Sequence, residues 1–137
     1  MRDVTEMKIK IETVNHKSQA YDTVGDYGQN KDGLWIKVSD MKNDTYHLAV
    51  AIHELIELHL IELAGISIAL VNEFDMSYEK RRANGDRHAD CGCLIQPEPG
   101  NDVHAPYHDA HVFATKLEKD FISEASWIKY DKTVNDL

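Results

Sequence analysis

The chain has 137 residues, 42% apolar and 28% charged, the makeup of an ordinary soluble globular protein whose length suits a single domain, 1–137, that buries a core without staples. A net charge of -9 repels a phosphate backbone, and the one basic cluster, Lys80, Arg81, Arg82 and Arg87, sits among acidic neighbours, which argues against nucleic acid as a main ligand. Cys91 and Cys93 are too few and too close for a disulfide framework, and MRDVTEMKIKIE lacks an apolar h-region, so a reducing, cytoplasmic setting without a secretory signal is expected.

Met7 to Val14 alternates apolar and polar residues and predicts a strand with Ile9 and Ile11 inward. Tyr21 to Val24 predicts a second short strand, followed by a turn-rich stretch from Gly25 to Gly33. Leu34 to Ser39 alternates again, with Leu34, Ile36 and Val38 on one face. Asn43, Asp44 and Thr45 supply a helix start, and the helix runs to about Ala64 with Gly65 at its C′ position. ISIALVNEF, Ile66 to Phe74, fits helix or strand equally, and Ser77 to Asn84 predicts a short helix capped by Ser77. Gly85 to Ala105 is loop-like. Pro106 then suits N1 of a last helix, whose stripe of Ala110, Ala114, Leu117 and Phe121 carries it to about Ser123, with Trp127 and Tyr130 folding the tail back. The fold class is α+β: a small antiparallel sheet packed on two long helices, with a short helix and a long loop between them.

The stretch that carries chemistry is Leu48 to Ala64, LAVAIHELIELHLIELA. Its charges argue against a membrane span. At about 100° per residue, His53 and Glu57 lie one turn apart on the stripe of Ala49, Ile56, Leu60 and Ala64. That stripe is otherwise apolar, so a buried imidazole and carboxylate must find partners or shift their ionisation. A divalent metal suits both. The competing reading is a hydrogen-bonded pair without metal. A helix with so little face for water also points to a homo-oligomer.

HAPYHDAHVFATKLE, His104 to Glu118, brings three more histidines. Measured from the apolar stripe, His111 lies roughly 90° off centre and His108 about 150° off, which makes His111 the better inward candidate. Glu118 falls seven residues on, on the same side, able to add a carboxylate or to orient an imidazole. His53, Glu57 and His111 make two imidazoles and one carboxylate, the donor set of open catalytic zinc sites and also of the non-haem iron triad; Zn2+ is the expected ion, with Fe2+ or Mn2+ as alternatives. DRHADCGC offers a further set, His88, Cys91 and Cys93 with Asp86 or Asp90, although C-x-C is a poor match to zinc spacing.

His53 to Glu57, HELIE, has the form H-E-x-x-E, and with a downstream histidine on a following helix the chain resembles the zincin-like metalloproteases, in particular the minimal zincins. It differs at Glu57, where histidine is usual. The resemblance implies a metal-dependent hydrolase acting on a peptide or other small substrate through a metal-activated water, with Glu54 as general base and His108, Tyr107 or His104 as oxyanion donor. IHELIE, EFD, APYHDAH, TKLE and WIKY are also similar to a family of small proteins carried by phages and their hosts. The alternative function is a non-catalytic phage accessory protein whose metal or polar cluster only ties helices together.

Overall fold

The computed structural model describes residues 6–137 and has the expected α+β class: a three-stranded sheet and three helices. In chain order these are β1 (Ile9–Val14), β2 (Gly25–Asn30), β3 (Gly33–Ser39), α1 (Asp44–Leu63), α2 (Ile68–Ala83) and α3 (His108–Asn135). The molecule divides into two compact units, Met1–Leu55 with Lys116–Leu137, and Ile56–Thr115. The chain passes between them inside α1 and again inside α3.

In the first unit the sheet is mixed, with order β1-β3-β2. β2 and β3 form an antiparallel hairpin, although from a different stretch than the Tyr21–Val24 strand expected, whereas β1 pairs parallel to β3, Ile11 opposite Ile36. The antiparallel expectation for β1 assumed that consecutive strands are neighbours, which is the commoner arrangement. Here the segment after β1 crosses to the far edge, and β3 inserts between. Two crossover side chains anchor that path: His16 Nδ1 lies 2.8 Å from Ser39 Oγ, and Gln19 donates to the Lys37 carbonyl at 3.3 Å.

β3 buries Ile36 and Val38 as its alternation predicts. Ile11, expected inward, is 50% exposed because β1 is an edge strand. β2 occupies the stretch read as turn, and Tyr21 to Val24 is not a strand. The glycines are the reason. A Cβ on Gly25 would stand 2.6 Å from Glu54 Oε1 and 2.7 Å from Val50 Cγ1, and one on Gly28 would overlap the Trp35 ring. Glycine here marks close approach within a strand rather than a turn.

α1 begins where expected, the Asn43 side chain accepting from Tyr46 N at 3.0 Å. It ends on Gly65 in the left-handed region, φ 74°, with Ile66 N returning to Ile61 O at 2.9 Å.

In the second unit α2 is one helix from Ile68 to Ala83, capped by Ser67 rather than Ser77; the Ser67 hydroxyl accepts from Leu70 N at 3.1 Å. The ambiguous stretch is therefore helical, and Ser77 lies inside it. Phe74 and Tyr78 stack at 5.7 Å, and the Tyr107 hydroxyl donates to the buried Asp75 carboxylate.

α3 starts two residues after Pro106 and continues to Asn135, well past Ser123. Trp127 and Tyr130 stack on each other on this helix, Trp127 62% exposed, instead of folding back. No glycine or proline interrupts residues 124–135, so nothing stops the helix. Among the described residues no helix is long and apolar enough to cross a membrane.

Asp26 on β2 yields a prediction. Burial pushes its carboxyl above the ordinary range, against the opposing pull of the Tyr27 N–H and of Lys37. A raised folded-state pKa means that folding is penalised wherever the unfolded carboxyl is ionised, and that the penalty disappears below its ordinary range. Asp26→Asn is therefore expected to raise the thermal midpoint at neutral pH, with the gain closing as pH falls through the carboxylate range; melting curves at pH 7 and pH 3 check it.

Candidate metal centre

His53 and Glu57 sit on successive turns of α1, an unbroken helix, and both are buried, 6% and 4% exposed. His111 is in the first turn of α3 and 6% exposed. His53 and Glu57 follow each other at one-turn spacing on α1, and within the second unit Glu57 and His111 meet as carboxylate and imidazole, donors that a first-row cation takes.

Each of the two imidazoles is held by a carboxylate. In the first unit, His53 Nδ1 is 2.8 Å from Glu118 Oε1. A carboxylate beside Nδ1 is common behind metal-ligating histidines. Glu118, which the sequence offered either as a ligand or as an orienting group, stands beside His53 at ion-pair distance. In the second unit, His111 Nδ1 is 3.0 Å from Glu57 Oε2. A cation would replace the proton that these two groups share.

The backbone of Gly100 lies flat on the His111 ring, where a Cβ would overlap Cγ, Nδ1 and Cδ2. His108 Nδ1 donates to the Gly100 carbonyl at 2.9 Å, which leaves its Nε2 as the acceptor nitrogen. The loop before α3 is thereby fixed against both histidines. Sequence reasoning passed over Gly100, and glycine in a loop carries no signal of what its backbone will touch.

The proposed catalytic residues are placed as follows. Glu54 is partly buried next to His53 on α1, its carboxylate against Gly25. Tyr107 is buried with its hydroxyl on Asp75, and His104 is drawn into a separate cluster.

That cluster joins His88, Asp102 and His104. His88 Nε2 is 3.0 Å from Asp102 Oδ2, and His104 Nδ1 is 2.7 Å from Asp102 Oδ1. Burial alone would raise the Asp102 carboxyl, but the His104 N–H and ring, with His88, outweigh it and hold the group below the usual carboxylate range. Sequence reasoning singled out His88 but missed Asp102, whose only local signal is the D-x-H spacing to His104. Of the partners expected for His88, Asp86 is 3.9 Å from Arg81, and Asp90 is 3.5 Å from His104 Nε2. Cys91 and Cys93 are joined as a disulfide, where their spacing had suggested two thiols.

Glu118→Ala removes the group that orients His53 without touching a ligand. It is expected to weaken zinc binding about 10–100-fold while the far-UV circular dichroism is unchanged, as read by competition with a chromophoric chelator. No family model, curated protein or solved structure matches the chain.

Proposed function

We propose that the protein is a metal-dependent hydrolase, most closely a zincin-like peptidase, with His53, Glu57 and His111 as metal ligands and Glu54 as general base. The observation that carries this reading is that His53 and Glu57 stand buried one turn apart on α1 and that Glu57 meets the buried His111 at 3.0 Å. Zinc there would supply a Lewis acid and acidify a water molecule. The remaining roles belong to the chain. Glu118 holds the His53 ring, and Gly100 packs against that of His111.

Glu54 follows His53 directly, so it emerges beside the cluster without competing for the stripe that His53 and Glu57 share. A carboxylate so placed suits proton abstraction from a water and its return to a leaving amine. Peptide as substrate class is supported by β2, an edge strand in the described sheet that meets the Glu54 carboxylate at Gly25 and could be extended by a peptide strand. Of the oxyanion candidates, His108 has its Nδ1 committed to Gly100 and keeps Nε2 as an acceptor, so it would act only when protonated.

A second reading is favoured by the Glu57–His111 hydrogen bond, which satisfies both groups with no ion between them. The cluster would then be a structural tie in a non-catalytic protein.

Protein purified without added metal and analysed by elemental mass spectrometry separates the two. The hydrolase reading expects close to stoichiometric zinc, iron or manganese, and cleavage of some members of a quenched fluorescent peptide library. Glu54→Gln should then lower turnover about 10²–10⁴-fold with the metal retained. Protein that neither carries metal nor binds added zinc at this cluster is the structural tie instead.

A further inference from the structure

The loop between α2 and α3 contains a second set of metal-binding side chains, entirely within the second unit and sharing no residue with the site above. We propose that His88, Asp102 and His104 bind a first-row divalent cation, zinc foremost, which fastens this loop.

One ligand atom from each of the three residues lies within 4.8 Å of the others. Two imidazoles and a carboxylate are the donors that borderline first-row ions prefer, whereas magnesium and calcium favour all-oxygen sites. Asp102 is the hub. Its side chain is 5% exposed, and each of its oxygens already faces one imidazole. The 2.7 and 3.0 Å contacts are those of protonated pairs, and an ion displacing the shared protons would open them slightly, to the roughly 3–3.5 Å between ligands of one zinc ion.

A second observation concerns the far side of His104. Its Nε2 is 3.5 Å from Asp90 Oδ2, so the imidazole that meets Asp102 through Nδ1 has another carboxylate behind it. That is the relation Glu118 has to His53. With a cation at Nδ1 in place of the proton it now donates to Asp102, the ring's remaining N–H would face Asp90.

The third observation is space. The three residues line a cavity of about 250 Å³, together with Tyr78, Cys91 and Gln96. Tyr78 is buried there, and burial together with the nearby Asp102 charge raises its phenol, so the wall it forms is neutral at physiological pH. The backbone fixes the remaining ligand: Gly92 N donates to His88 O at 2.8 Å and His88 N to Cys93 O at 2.9 Å, within a short hairpin closed by the Cys91–Cys93 bond. His88 is thus presented from a stapled turn. For a loop with so little regular structure, an ion at Asp102 supplies a cross-link between positions 88 and 104.

The test uses the full-length chain, stripped with a chelator and titrated with zinc chloride alone while the imidazole ¹⁵N signals are followed. Signals of His88 and His104 are assigned with His88→Asn and His104→Asn, and those of His53 and His111 are tracked separately, so the two sites succeed or fail independently. The expected result is that the His88 and His104 signals move together and saturate at one ion, and that excess magnesium does not reverse the change. His104 is 57% exposed at its side chain, so His104→Asn should keep the fold while weakening this ion about 10-fold or more. The proposal is overturned if His88 and His104 do not shift through two equivalents of zinc, if magnesium displaces the ion, or if His104→Asn binds like the parent chain.

Discussion

A carboxylate 4% exposed on a largely apolar helix cannot stand alone, and the need to satisfy Glu57 organises the candidate site. Its partner is His111, 3.0 Å away, which obliges the first turn of α3 to bring an imidazole to that depth. His111 in turn requires a backbone with no side chain against its ring, and Gly100 supplies it. His53 repeats the pattern one turn earlier on α1, with Glu118 as its carboxylate. Each of these buried imidazoles therefore stands against a carboxylate, Glu57 buried and Glu118 partly exposed, the condition under which such groups are tolerated in a low-dielectric interior.

Pairing alone explains stability, and it does not require both pairs to draw on neighbouring turns of one helix. His53 and Glu57 stand one turn apart on α1, an imidazole and a carboxylate of the kinds that first-row cations take. Glu54 follows His53 in the chain, its carboxylate against Gly25. The proposal of a hydrolase rests on this combination, since a metal-polarised substrate and an adjacent base are what hydrolysis of a carbonyl compound needs.

The loop between α2 and α3 follows the same logic with different parts. Asp102 serves as the shared carboxylate for two imidazoles, and Asp90 backs one of them. This loop has one isolated bridge and one 3-10 turn for regular structure, so its conformation depends on side-chain contacts and the Cys91–Cys93 bond. A long loop held in this way is better suited to carry a defined cluster than its composition suggests.

Several features were legible in the residues alone because their causes are local. The start of α1 at Asn43, its stop at Gly65, the inward face of β3 and the pairing of His53 with Glu57 on one stripe all follow from caps and periodicity within a few residues. The choice of His111 over His108 followed from helical angle alone. Tertiary structure decided the rest. The parallel pairing of β1, the strand at Gly25–Asn30, the continuous α2 and the Asp102 cluster depend on groups distant in the chain. A glycine's sequence neighbours do not tell whether it serves a turn or a close approach, because that is set by the ring or carboxylate that packs on it. Local sequence specifies which groups a helix presents; only the fold determines which distant group meets them, since burial free energy is settled by the whole packed arrangement.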